Sequence, residues 1–329
     1  MEHESMAHVD AAELVRGKHV VIVGTGKSAL DTAALCTEIN GGTYPCTLVY
    51  RSFHDWMMDP KSLSAWHLTL GLDTTGRADG TQARRRRWLL MKLTEAHFKA
   101  HLPTQTHGMV PEHSFARSFL GWRICVLPEG FYDKVDQGII ELRKCSSFSF
   151  CADGVVLEGD DAGERVVVAA DVVILATCYD TDAPLRGVFA SPWFRDIVLA
   201  ASSDAAGLPL YRQCVHPRIP QLAVVGYVDS EASVYRFEMM AKWMAHLLDG
   251  AVRLPGVADM ERDVGEWARW RAWATRSRGG IFFKPCIHAV TTWYNDQLCR
   301  DMGHRARRKK GLLAEWLQPY GPADYAAIQ

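Results

Sequence analysis

The chain has 329 residues, which at about 100–200 residues per domain predicts two domains. Hydrophobic residues make up 48% and charged residues 23%, and 37 Lys and Arg nearly balance 38 Asp and Glu for a formal charge of −1. That balance argues against a chain built to coat nucleic acid or an acidic membrane surface, and ordinary Gly and Pro usage excludes collagen or a long disordered tract.

Met1-Glu-His-Glu-Ser is charged where a secretory leader is apolar, so no leader is expected. The longest apolar-rich run, Val166 to Cys178, is broken by Asp171 and falls short of the about 20 residues that span a bilayer, so no transmembrane segment is expected. Nine cysteines are scattered with no C-x-x-C pair, which points to buried thiols in a reducing, cytoplasmic compartment and away from a zinc ribbon.

His19-Val-Val-Ile-Val23 is a short β-branched run of the kind that forms a buried parallel strand. Gly24-Thr25-Gly26-Lys27-Ser28-Ala29 follows at once, and Leu30 to Cys36 reads as a helix. This is a strand, a G-x-G-x-x-A turn and a helix. The first glycine permits the tight turn, the second lets backbone approach a pyrophosphate, and Ala29 lets helix and strand pack closely. The helix N-terminus then offers free N–H groups and partial positive charge to phosphates. A phosphate-loop NTPase is excluded, because its motif needs a glycine at position 21, where this chain has Val21.

Thr47 to Tyr50 reads as the second parallel strand and ends in Arg51-Ser52. An acid at this distance from the glycines would bind the ribose diol of NAD, whereas a basic residue meets the 2′-phosphate of NADP. Arg51 therefore favours NADPH. Residues 53–115 lack a clear period and read as an insertion of helices and loops, with the basic run Arg84 to Arg87 as the wet side of a helix. His101, His107 and His113 stand six apart, off any shared helix face, and His97 with His101 lacks a third ligand, so no metal is expected.

Glu141 to Phe150, Gly154 to Leu157 and Gly163 to Ala170 are expected as antiparallel strands, and Asp171 to Thr177 as a buried parallel strand. Gln221 to Gly226 is one more apolar strand, with Gly226 and Tyr227 at its end. A helix follows whose apolar face is expected to be Val234, Phe237, Ala241, Met244 and Leu248. Leu254-Pro-Gly256 ends it, and Trp267, Trp270 and Trp273 sit on the next helix as core. The basic stretch His304 to Lys310 reads as a surface cluster.

Taken together, these segments resemble the plant flavin-containing monooxygenases. The resemblance rests on Gly24 to Asp31, Tyr44 to Arg51, Gly108 to Phe115, Asp171 to Tyr179, Cys214 to Leu222, Trp293 to Cys299 and Pro319 to Tyr325. It implies an α/β flavoprotein with two dinucleotide-binding domains, in which NADPH and FAD support oxygenation of a nucleophilic nitrogen or sulfur in a small molecule. It also implies that Ala176-Thr177-Cys178-Tyr179 occupies the place of the family's A-T-G-Y, which adds Thr177 and Cys178 to the cofactor-binding residues Gly24, Thr25, Gly26, Lys27, Ser28, Ala29 and Arg51. No catalytic side chain is nominated.

The expected organisation is a residual linker over 1–16, a Rossmann-like NADPH-binding domain over 17–176, and over 177–329 the C-terminal part of a discontinuous FAD-binding and substrate domain. Only 23 residues precede Gly24, so the FAD glycine motif is expected to be missing and the chain to be N-terminally truncated. The alternative reading is a catalytically inactive NADPH-binding or interaction module, with a full-length relative as its partner.

Overall fold

The computed structural model describes residues 9–59, 81–121, 123–159, 165–177, 183–199, 207–228, 233–274, 287, 290–306, 308–310 and 320–328. The chain divides into two units. The first holds Met1–Leu63, Ala96–His113 and Ile124–Tyr179, and the second holds Ser64–Glu95, Ser114–Arg123 and Asp180–Gln329. Ser64–Glu95 and Ser114–Arg123 thus group with the second unit, where an uninterrupted 17–176 domain would place them in the first.

The first unit is built on β1 (Val20–Val23), whose four residues are all buried. A strand covered on both faces reads as a continuous β-branched run. β1 pairs in parallel with β2 (Cys46–Tyr50) on one side and β9 (Val172–Leu175) on the other. β5 (Ile140–Lys144) extends the sheet beyond β2, also in parallel, giving the order β5-β2-β1-β9. Val20 and Ile22 point into a core shared with Leu48, Ile140 and the α2 (Lys27–Asn40) residues Ala29, Leu30, Ala33 and Cys36. Val21 and Val23 point the other way, against Val49, Cys145, Val155 and Leu157. Val155 and Leu157 come from an antiparallel meander of β6 (Ser147–Cys151), β7 (Gly154–Glu158) and β8 (Arg165–Ala169). The sheet therefore lies between a helix layer and a three-stranded layer.

Three sequence expectations change here. The stretch 141–150, expected as one antiparallel strand, is two strands in different sheets. The Cys145 N–H donates to Tyr50 O at 2.8 Å, and the very next N–H, of Ser146, donates to Glu158 O at 2.8 Å. The crossover occurs at that peptide. The strand expected to be buried at 171–177 is β9, which is half-exposed along its length. Residues 9–15, expected within a linker, form α1 (Val9–Val15), whose Val15 is buried in the α2 core.

The Asp171 carboxylate, at the entrance to β9, accepts the His19 N–H at 2.8 Å and lies 3.2 Å from His19 Nδ1. The His19 amide and ring hold this carboxyl below the usual carboxylate range. A group whose folded pKa is depressed stabilises above its unfolded value, and that contribution is lost as pH falls through the folded value. Asp171→Asn is accordingly expected to lower the thermal midpoint at neutral pH, with the difference from wild type closing in acid. A pH-independent difference would contradict this account.

The insertion contributes β3 (Trp56–Met58) and α3 (Thr81–His101), and β3 pairs in parallel with β4 (Ile124–Val126). α4 (Phe115–Gly121) belongs to the second unit, and α5 (Phe131–Asp136) leads into β5 in the first. In the second unit, α6 (Ala183–Val188) and α7 (Pro192–Leu199) precede an antiparallel pair, β10 (Val215–His216) and β11 (Ile219–Ala223). α8 (Ser233–Leu248), α9 (Val257–Ala274) and α10 (Thr291–Asp301) then build an aromatic core from Trp243, Trp267, Tyr294 and Leu298. Trp267 meets the rings of Trp270, Trp293 and Tyr294 at 5.7, 5.3 and 6.2 Å, so it serves packing as expected. The side chain of Trp273 lies outside the described residues.

The expected face of α8 packs inward only in part: Phe237 and Met244 lie against the core. Arg236, Met239, Met240 and Trp243 face inward, while Val234 is 86% and Leu248 80% exposed. A polar knot closes this core. Arg212, at φ 51°, pairs with Asp301 at 2.7 Å and Asp263 at 3.1 Å and also donates to Gln297. The Tyr294 hydroxyl donates to Arg212 O at 2.7 Å, and Trp243 Nε1 donates to Asp301 at 3.1 Å. Among the described residues no helix is long and apolar enough to cross a membrane.

Candidate nucleotide-binding site

At the end of β1 the chain has to pass close beneath β9. The Gly24 N–H donates to Val49 O at 3.0 Å, its φ is 141°, and a Cβ there would stand 2.3 Å from the Ala176 carbonyl oxygen. Backbone angle and space both exclude a side chain. Gly26 differs in kind. Its φ of −76° suits any residue, and a Cβ would meet no atom within 4 Å. This glycine leaves room for something outside the protein.

Gly26 is also the N-cap of α2. No side chain caps that end, and its first turn holds no acidic residue. The amides of Gly26, Lys27 and Ser28 have no acceptor within the helix, and the helix dipole places partial positive charge there. Ala29, fully buried in the α2 core, occupies the small-residue position. Thr25 Oγ1 donates to Ser52 O at 3.4 Å, which ties the turn to the end of β2. Arg51, one residue earlier, is exposed and makes no ion pair among the described residues. Gly24, Thr25, Gly26, Ser28 and Arg51 are thereby gathered at the carboxyl ends of β1 and β2, where open α/β sheets bind ligands.

Lys27 turns back to pair with Asp31 one helical turn on, a contact legible in the i,i+4 spacing but not drawn from it. Thr177 is exposed two residues past β9, whose Leu175 is in register with Val23. Cys178 lies outside the described residues. Sequence reasoning missed the Ala176 carbonyl, which no local motif places beside Gly24. The Phe237 ring lies 3.5 Å from where a Gly226 Cβ would stand, and Tyr227 packs on a small apolar cluster.

No group of His, Cys, Asp or Glu suited to a metal occurs among the described residues. Burial pushes Cys125 and Cys214 up to about 12 and Cys299 up to about 11. A shallow cavity of about 370 Å³ lies elsewhere, along β5, lined by Tyr50, His107, Ile140 and Arg143. It does not include the glycine turn.

A family model described as flavin-binding monooxygenase-like matches residues 6–281. The chain belongs to that family. This flavin-binding monooxygenase-like chain is 30% identical over 344 residues to probable flavin-containing monooxygenase 1 of Arabidopsis thaliana, an alignment covering 99% of this chain and 62% of the relative. It is 28% identical to putative flavin-containing monooxygenase 2 of the same plant, over 92% of this chain and 58% of the relative. The chain thus spans about three fifths of the length of these relatives. Among solved structures, an oxidised steroid monooxygenase bound to NADP matches with a TM-score of 0.51 and 16% identity, over 87% of this chain and 65% of the other. That likeness supports the fold: an α/β chain with a parallel Rossmann-like sheet.

Proposed function

We propose that this chain binds NADPH at the glycine turn and serves an NADPH- and FAD-dependent monooxygenase that oxygenates a nucleophilic nitrogen or sulfur in a small molecule. The single observation that carries the reading is the pair of glycines, one enclosed under Ala176 and the other open, before an uncapped helix and beside an exposed Arg51 that makes no ion pair among the described residues. Gly24 sets the turn, and the Gly26, Lys27 and Ser28 amides would hold the diphosphate. Ala29 lets α2 approach the sheet, and Arg51 would hold the 2′-phosphate. Thr177 and Cys178 border the same strand ends. In this family the flavin, reduced by NADPH, supplies the oxygen activation. FAD is part of the proposal through family membership, and the 329 residues carry one dinucleotide glycine turn, assigned here to NADPH.

Cytoplasmic placement belongs to the same proposal, supported by six buried free thiols among the described cysteines. The test is nucleotide and flavin loading of the purified chain. NADPH is expected to bind saturably whether or not FAD is supplied, and FAD to load well below one per chain. Stoichiometric flavin absorbance would overturn the assignment of the one turn to NADPH. An absence of NADPH binding would overturn the reading altogether.

A further inference from the structure

The inward stripe of α8 contains a charge. Arg236 is 1% exposed, yet its Nε and Nη1 have no hydrogen-bond partner. Its Nη2 reaches the Tyr235 hydroxyl at 3.5 Å, the outer limit for such a bond, and the guanidinium carbon lies 5.6 Å from that ring. Among the described residues the acids of the surrounding elements pair with other cations: Glu238 with Lys242 at 2.8 Å, Asp263 and Asp301 with Arg212, and Asp296 with Arg308 at 3.6 Å, although Asp296 Oδ1 accepts no hydrogen bond.

α10 packs on α8 and presents a second orphan. Asn295 is fully buried with both amide atoms unpaired, and its side chain lies against the Tyr325 hydroxyl, which also lacks a hydrogen bond of good geometry. The two orphans are linked by aromatic rings. Tyr325 stands 5.8 Å from Tyr235, the ring Arg236 overlies, and Tyr294, next to Asn295, lies within reach of the Arg236 charge. None of these residues belongs to the nucleotide site.

A guanidinium stays charged at any physiological pH and offers donors only. Burying it unpaired is strongly unfavourable, and native interiors satisfy such groups with a partner. Arg236, the Asn295 amide and two tyrosine hydroxyls together present several donors, and among the described residues no carboxylate pairs with Arg236. We infer that Arg236 and Asn295, with the Tyr235 and Tyr325 hydroxyls, form a binding site for a small oxyanion, either an inorganic ion or the acid group of an organic molecule.

Thermal unfolding of the full chain in chloride buffer free of oxyanions, titrated separately with inorganic phosphate and with acetate, tests this. One of the two is expected to raise the midpoint saturably, by about 3–5 °C at roughly tenfold above half-saturation. A phosphate response identifies a tetrahedral ion as the fitting class, and an acetate response identifies a carboxylate. Arg236→Met should abolish the rise. Because phosphate at the start of α2 would stabilise both proteins alike, the difference between them is the readout. Asn295→Leu, which keeps the guanidinium, should move half-saturation to about tenfold higher anion and decides the matter if Arg236→Met does not fold. No response in wild type to either anion, an equal response in Arg236→Met, or an unshifted response in Asn295→Leu would overturn the inference while leaving the nucleotide site untouched.

Discussion

Replacing Arg212 with methionine is expected to cost about 3–5 kcal/mol of stability at neutral pH. The guanidinium sits between Asp301 at 2.7 Å and Asp263 at 3.1 Å, whose side chains are only 19% and 20% exposed. Removing it leaves two largely buried carboxylates facing each other without a counter-charge, Gln297 loses the donor to its Oε1, and the Asp301 carboxylate that accepts from Trp243 loses its counter-ion. Burial already raises the Asp263 carboxyl, against the pull of Arg212. Without that pull it rises further. A carboxyl whose folded pKa exceeds its unfolded value destabilises above the folded value, and the penalty fades as pH falls and the group takes up a proton. Urea unfolding at several pH values should therefore show the deficit of Arg212→Met shrinking steadily toward acid. A deficit below about 1 kcal/mol, the range of exposed ion pairs, would show that the knot contributes no more than a surface pair.

Gly24→Ala and Gly26→Ala are expected to fail in opposite ways. At position 24 a methyl group would meet the Ala176 oxygen at 2.3 Å in a backbone conformation that L-residues rarely adopt. Strain and crowding together predict a loss of about 2–4 kcal/mol. At position 26 the same methyl group meets nothing, so the fold should stay within about 1 kcal/mol of wild type. NADPH affinity should instead fall about tenfold or more, because the methyl occupies the space proposed for the diphosphate. Denaturation curves and nucleotide titrations on both variants separate the two roles. If Gly26→Ala bound NADPH as wild type does, the open space would not be the phosphate site.

The β1–turn–α2 unit was legible because its signals are local. Four β-branched residues mark a strand buried on both faces, and the glycine spacing dictates the turn and the helix after it. Arg51 was legible for the same reason, being fixed by its place at the end of the next strand. β5 was misread because Ile140-Glu-Leu-Arg-Lys144 alternates as an antiparallel strand does. A parallel strand at a sheet edge is half-exposed and carries the same pattern. α8 has apolar residues on two faces, and Arg236 interrupts the one that is buried, so counting apolar positions selected Val234 and Leu248 on the wrong side. The grouping of Ser64–Glu95 with the second unit reflects long-range contacts that no local pattern encodes. The Ala176 contact, which decides the role of Gly24, joins residues about 150 positions apart and appears only once β9 is placed beside β1.

Parallel titrations of wild type and Arg51→Ala with NADPH and with NADH test the central claim most directly. A charge-assisted contact between Arg51 and the 2′-phosphate predicts that wild type binds NADPH about tenfold or more tightly than NADH. In Arg51→Ala that ratio should fall toward unity through weaker NADPH binding, with NADH binding unchanged. Tighter binding of NADH by wild type, or a preference for NADPH that survives the loss of Arg51, would contradict the site described here.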